Sequence, residues 1–241
     1  MLNPSKKYKH LFIDLDKTLW DFEANSRETF QELYLKYELR QRGIADLEEF
    51  HSVYHKHNMM LWDLYRKNQI LKELLNVKRF ELTFNDYGIY DLLMIAQFAE
   101  EYITTIPKKK HLYPGVEEAL EELNERYCLH IITNGFEEVQ FEKIDNCGFR
   151  PLFKTITTSE EAGVKKPESD IFHYALRKAH AHASESLMIG DDLGVDIEGA
   201  KSVNMDQLLF NPDAHPHDYE VTYEVRTWKE ITELLLATTT R

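Results

Sequence analysis

The chain has 241 residues, 43% of them hydrophobic and 12% aromatic, enough to bury a core in one large domain or in a domain with a smaller companion, and too apolar for a disordered chain. Its formal net charge of −13 repels polyanions and argues against a DNA- or RNA-binding module, while a small anionic ligand still fits wherever a metal ion and a lysine reverse the sign locally. No apolar run is long enough to span a bilayer, and Cys128 and Cys147 lack CxxC spacing; a cytoplasmic protein without membrane attachment, disulfide framework or thiolate zinc site is expected, with Cys128 in the core.

From a short basic lead the chain passes directly into His10-Leu-Phe-Ile-Asp-Leu-Asp16, an apolar run that predicts a strand ending in acidic residues rather than in a hairpin turn. From about Asp21 to Ile106 the periodicity is helical, with Phe30, Leu33, Tyr34 and Tyr37 on one face and Leu92, Ile95, Ala99 and Tyr102 on another. Asn25 and Glu28 predict a capping pair for the first of these helices. Beyond Tyr113-Pro-Gly115 a βα rhythm begins. A helix carrying Val116, Ala119, Leu120 and Leu123 precedes a strand over Cys128–Thr133, a Gly135 turn, a strand over Phe153–Thr157 and a helix through Ile171 and Leu176. A strand Ser186–Gly190, a helix near Ala200, a strand Gln207–Phe210 and a closing helix capped by Thr227 and Glu230 complete the pattern. Alternating strands and helices predict an α/β fold: a Rossmann-like parallel sheet from residues 1–20 and 107–241, with an all-helical insert over 21–106. Ligands in such sheets bind beyond the carboxyl ends of the strands, where Asp14, Asp16, Thr133 and Asp191 all fall. The HxH pairs His55 and His57, His180 and His182, and His215 and His217 stand in polar segments of helical or turn character, where the two rings do not share a strand face.

Asp14 and Asp16 in DLDKT share a face if the strand runs on, and diverge around one ligand if it breaks into a loop. Paired carboxylates there suit a hard divalent cation, although an acidic loop of no consequence has the same sequence. Thr133, Asn134 and Gly135 offer a hydroxyl and successive backbone N–H groups entering a helix, which is a phosphate-binding corner or simply a turn. In Gly163-Val-Lys-Lys-Pro167 the proline restricts Lys166 before a helix, so its ammonium either meets phosphate as a fixed point charge or lies in solvent. Gly190-Asp191-Asp192 ends an apolar strand, with Asp196 shortly beyond. The ordered set D-x-D-x-T, T-N-G, K-P and G-D-D-x-x-x-x-D carries more weight than any one member.

This set resembles the four motifs of the haloacid dehalogenase-like hydrolase superfamily, in order across the α/β part, and the helical insert is similar to the superfamily's small C1-type cap. FIDLDKTLWDF, LWDLYRKNQI and IITNGFEEVQFEKI are most similar to its bacterial pyrimidine 5′-nucleotidase branch, with Asn68-Gln69 where those relatives often have glycine. The resemblance implies a magnesium-dependent phosphatase acting on a small phosphorylated metabolite, a nucleoside 5′-monophosphate foremost, through an aspartyl phosphate on Asp14. It assigns Asp16 as general acid and then base, gives Thr133, Asn134 and Lys166 to the phosphoryl oxygens, and gives Asp14, Asp191 and the Asp16 backbone carbonyl to magnesium. Asp192 is implied as a further acidic ligand or water anchor, and Asp196 as a support for Lys166 or the metal shell. A carboxylate nucleophile suits a reaction catalysed mainly by positioning and charge neutralisation. The alternatives are a sugar-phosphate phosphatase, a phosphomutase, a haloacid dehalogenase and a catalytically silent binding protein. The motifs do not separate the first two, Asp16 and the Asp191 cluster weigh against dehalogenation, and the filled catalytic positions weigh against silence. Phe22, Trp62, Tyr65 and Phe84 of the insert could stack on a base, although amphipathic helices use such side chains for packing far more often.

Overall fold

A computed structural model describes residues 8–237, so the basic lead over residues 1–7 lies outside the described residues. In chain order the elements begin with β1 (His10–Ile13), α1 (Phe22–Lys36), α2 (Leu47–Arg66), α3 (Lys72–Asp86) and α4 (Leu92–Thr105). They continue with α5 (Val116–Asn124), β2 (Cys128–Thr133), α6 (Glu137–Asn146), β3 (Phe153–Thr158), α7 (Ser159–Ala162), α8 (Ser169–Lys178) and β4 (Ser186–Gly190). Last come α9 (Glu198–Ser202), β5 (Asp206–Phe210), β6 (Tyr223–Val225) and α10 (Trp228–Ala237). Contacts divide the chain into two compact units, Met1–Asp21 with His111–Arg241, and Phe22–Lys110.

In the first unit the strands form one parallel sheet in the order β3-β2-β1-β4-β5-β6. Leu11, Phe12 and Ile13 of β1 are all fully buried, which is why this strand reads as a continuous apolar run rather than an alternation. Ile13 is in register with Ile131 on one side and Ile189 on the other. The chain winds outward from β1 to β3 and then restarts at β4 on the opposite flank of β1, so the strand order reverses beside β1 and opens a crevice at the carboxyl ends. Phe12, Ile132 and Met188 from three strands pack with Ile171, Phe172 and Ala175 of α8 and Ala200 of α9. At the end of the chain, Thr227 and Glu230 form the expected capping box: Glu230 N–H donates to Thr227 Oγ1 at 3.2 Å, and Glu230 Oε2 accepts from the N–H groups of Arg226 and Thr227. Cys128 departs from expectation, being half-buried at the first residue of β2 rather than in the core. Strand β6 has no counterpart in the sequence reading.

The second unit holds α1 to α4 around an aromatic core. Phe30 meets Tyr54, Tyr102 and Phe50 at ring-centroid distances of 4.6, 5.1 and 5.6 Å. Asn25 does not cap α1: the helix starts at Phe22, a turn earlier than expected, and Asn25 lies fully buried inside it with its carbonyl accepting from Thr29 Oγ1 at 2.8 Å. Leu92 is 67% exposed, because it sits in the first turn after the Asp91 cap, and the buried stripe of α4 is Met94, Ile95, Phe98, Ala99 and Tyr102. Asn68, just past α2, has φ 56°, a left-handed conformation that asparagine tolerates better than most residues. Phe84 and Tyr65 are buried, while Phe22 and Trp62 are half-buried, with Trp62 edge-on to Tyr65 at 5.5 Å. Among the described residues no helix is long and apolar enough to cross a membrane.

Candidate active site

Asp14 is the first residue past β1, and its N–H still donates to Ile189 O at 2.9 Å, which fixes it beside β4. The strand then breaks. Lys17 takes φ 63°, Leu19 and Trp20 both return their N–H groups to Leu15 O at 3.0 and 2.9 Å, and Trp228 Nε1 donates to Thr18 O at 2.9 Å. This anchored loop separates the side chains of Asp14 and Asp16, which a continuous strand would have aligned. Thr133 closes β2 and Asp191 follows β4, so residues from three neighbouring strand ends share the crevice.

Lys166 organises the buried part. Its Nζ donates to Asp14 Oδ1 at 2.5 Å, Asp196 Oδ1 at 2.6 Å and Ile132 O at 2.9 Å, using all three ammonium donors while only 2% exposed. The solvated alternative for this lysine is thereby removed. Asn134 holds it by the main chain, Nδ2 donating to Lys166 O at 2.9 Å and Oδ1 accepting from Lys166 N–H at 2.8 Å. The Asn134 side chain is thus engaged with the lysine loop. Asp196 Oδ2 accepts from Asp192 N–H at 3.2 Å, and a Cβ on Gly190 would overlap this carboxylate, so the glycine of GDD provides its room. Asp192 Oδ1 accepts from the N–H groups of Gly194 and Val195 at 2.9 and 3.0 Å, capping the π-helical turn Leu193–Ile197 that carries Asp196.

Asp14, Asp191 and Asp196 each present a carboxylate oxygen within 4.8 Å of the others. Three carboxylates face the Lys166 ammonium that bonds two of them, with Lys17 opposing more weakly at Asp191, so negative charge is in excess in a buried place. Burial raises the Asp14 carboxyl to about 7, with Asp196 and Asp16 adding to the rise and Lys166 opposing it. Burial likewise holds Asp191 well above the usual carboxylate range, helped by Asp196 and Asp14. Burial pulls Lys166 down, but Asp14 and Asp196 outweigh it and keep the ammonium charged. Hard oxygen donors with this excess charge fit a divalent cation, which would offset the burial and mutual repulsion that otherwise raise the carboxyls.

The Asp16 side chain lies outside that group. Its Oδ1 accepts from Lys143 Nζ at 2.5 Å and its Oδ2 from Gln140 Nε2 at 2.8 Å. Gln140 Nε2 also donates to Thr133 Oγ1 at 2.7 Å, and the same oxygen accepts from Gly135 N–H at 3.1 Å. With both acceptor positions filled, the Thr133 hydroxyl is left as a donor, the role a phosphoryl oxygen requires. The sequence reading missed Gln140 and Lys143, although a signal exists. Both lie on the buried stripe of α6 with Val139 and Ile144, where polar side chains are uncommon, and a Cβ on Gly135 would overlap the Gln140 amide.

The profile of the haloacid dehalogenase-like hydrolases matches residues 11–210. The pyrimidine 5′-nucleotidase PynA of Streptococcus pneumoniae is 30% identical over 235 residues, 95% of each chain. The pyrimidine 5′-nucleotidase YjjG of Escherichia coli is 29% identical, over 95% of this chain and 98% of its own. The crystal structure of Bacillus subtilis YfnB bound to magnesium is similar with a TM-score of 0.85 at 26% identity, covering 96% of this chain and all of that one. The L-2-haloacid dehalogenase of Xanthobacter autotrophicus, at 15% identity and a TM-score of 0.74, shares the fold alone. With the profile spanning most of its length and near full-length relatives on both sequence and structure, the chain belongs to the haloacid dehalogenase-like hydrolases.

Proposed function

We propose that this hydrolase is a magnesium-dependent phosphatase for nucleoside 5′-monophosphates, pyrimidine nucleotides foremost, working through an aspartyl phosphate on Asp14. The observation that carries the reading is the buried bridge of Lys166 between Asp14 and Asp196 with Asp191 alongside, Asp14 and Asp191 being at the strand ends beside the switch point. A nucleophile, a fixed positive charge and oxygen donors for a cation then stand where a phosphoryl group can meet all of them.

Asp14 attacks phosphorus in line; as the ester bond breaks, the leaving alkoxide takes the proton of Asp16, and Asp14 carries the phosphoryl group. Asp16, now a carboxylate, removes a proton from the water that attacks phosphorus, and orthophosphate leaves with Asp14 restored. The Thr133 hydroxyl orients a phosphoryl oxygen by donating to it, and Lys166, its three donors held by Asp14, Asp196 and Ile132 O, offsets the phosphoryl charge as a fixed nearby positive charge. Asp14, Asp191 and the Asp16 backbone carbonyl would hold magnesium, with Asp192 and Asp196 supporting them. When bound, the ion screens the carboxylate from the phosphate and stabilises charge on the phosphoryl oxygens. The substrate class is supported by PynA and YjjG, both named pyrimidine 5′-nucleotidases and both aligned nearly end to end. A dehalogenase reading leaves Asp16 and Asp191 without work, since displacing halide from carbon needs neither a leaving-group acid nor a cation.

The test is phosphate release from deoxyuridine monophosphate, a hexose phosphate and p-nitrophenyl phosphate, with and without magnesium, by wild type and Asp14→Asn. Magnesium-dependent turnover with the nucleotide highest in kcat/KM is expected, and it should vanish in a folded Asp14→Asn variant. Near-normal activity in that variant would defeat the mechanism. A hexose phosphate preferred over every nucleotide would remove the nucleotidase assignment alone.

A further inference from the structure

We infer that Gln140 and Lys143 are positioning residues for the acid–base step, a two-point clamp that holds the Asp16 carboxylate in register with the Thr133 hydroxyl; the inference rests on the phosphatase reading above. Asp16 lies on a loop with its side chain 28% exposed, so by itself it would sample several rotamers. Both oxygens are instead tied to α6, Oδ1 to the Lys143 ammonium and Oδ2 to the Gln140 amide. The two amide hydrogens of Gln140 go to Asp16 Oδ2 and Thr133 Oγ1, and each Asp16 oxygen keeps a second lone pair on which the transferred proton can reside. One side chain thus links the group that handles the leaving-group proton to the hydroxyl that faces the phosphate.

The supports of the clamp are rigid. Gln140 is fully buried in the space left by Gly135, and Lys143 is 3% exposed with Nζ 4.1 Å from the centroid of the fully buried Trp20 ring. Burying an ammonium is costly, and its ion-pair partner here is a half-exposed loop carboxylate, so the arrangement does more for the placement of Asp16 than for the stability of the core. Misplacing a catalytic group by about 1 Å costs on the order of a hundredfold in rate.

The experiment compares kcat/KM, which counts only the steps up to departure of the leaving group, for deoxyuridine monophosphate and p-nitrophenyl phosphate. The nucleotide releases an alkoxide that needs a proton; the aryl ester releases a phenolate that does not. Asp16→Asn should therefore damage the nucleotide reaction far more than the aryl one. Lys143→Met, which leaves Thr133 untouched, should show the same selectivity, with a loss of about 10- to 100-fold for the nucleotide and less than about threefold for the aryl ester; the volume-conserving Gln140→Met also removes a donor to Thr133 and should slow both esters, the nucleotide more. Lys143→Met added to Asp16→Asn should cost nothing further. Circular dichroism and urea unfolding establish that each variant is folded, and either clamp variant suffices if the other is not. Equal losses on both esters in the clamp variants, or losses that add to those of Asp16→Asn, would overturn the clamp while the phosphatase stands. Equal losses in Asp16→Asn itself would remove the acid role of Asp16 and the clamp with it.

Discussion

His130 makes the acid sensitivity of the fold measurable at one side chain. It lies in β2 at 1% exposure, its Nε2 3.0 Å from His10 Nδ1 and its Nδ1 2.8 Å from Thr155 Oγ1, with the ring stacked on Phe12 at 4.6 Å. Burial lowers its pKa from 6.5 to about 4, and the neighbouring His10 and Lys154 add to the shift. The imidazole is therefore neutral in the fold, whereas the unfolded chain takes up a proton below 6.5. Stability from this group is complete above pH 6.5 and is lost as the pH falls toward 4. A depression of that size corresponds to about 3 kcal/mol in full and about 2 kcal/mol at pH 5. The buried carboxyls Asp14, Asp191 and Asp196 are shifted upward and act in the opposite sense, so the informative quantity is a difference between two proteins that both contain them. Urea unfolding of wild type and His130→Gln at pH 7.5 and pH 5 supplies it. The wild-type advantage at pH 7.5 should shrink by about 2 kcal/mol at pH 5. Two parallel pH dependences, agreeing within about 0.5 kcal/mol, would refute a buried neutral imidazole.

Gly190→Ala places a methyl group against the Asp196 carboxylate and should push it off Lys166, costing about 1–3 kcal/mol in thermal unfolding together with most of the turnover. Lys166→Met leaves Asp14 and Asp196 buried without their counter-charge, a loss of about 3–5 kcal/mol at pH 8. Because those carboxyls have raised pKa values, and lose the lysine that holds them down, the fold binds protons that the unfolded chain does not, so the Lys166→Met variant should regain stability as the pH falls, and melts at pH 8 and 5.5 check the sign. Asp191→Ala should weaken magnesium binding, so that activity returns partly at high metal concentration; an unchanged magnesium dependence would take Asp191 out of the cation site.

Where burial and periodicity coincide, the elements are legible in the sequence. Cys128–Thr133 and Ser186–Gly190 are found to the residue, because strands covered on both faces leave short, largely apolar runs bounded by turn residues, broken in the first only by His130. Val116, Ala119, Leu120 and Leu123 are the buried stripe of α5 for the matching reason at helical spacing. Strand β6 escapes because it has three residues, of which only Val225 is buried, shorter than any window in which a period can be counted. Asn25 and Glu28 mislead because a three-residue separation describes a capping box and an interior helix face equally well.

The chemistry of the strand ends is legible for a different reason: Asp14, Thr133 and Asp191 interrupt apolar runs at the one end of a parallel sheet where ligands bind. The contacts that give those residues their settings are not. Gln140 and Lys143 stand out only as polar residues on a buried helix stripe until it is known that Asp16, 124 and 127 positions earlier, bonds to them, and the contact of Asp196 with the lysine is seen only when Lys166 Nζ is found on its Oδ1. Each of these pairings depends on β1 lying between β2 and β4, a fact of strand order that local periodicity does not contain. Given that order, α6, which follows β2, and the π-helical turn, which follows β4, flank the loop after β1: on one side a lysine and a glutamine are delivered to Asp16, and on the other a carboxylate is delivered to Lys166, the ammonium that also holds Asp14.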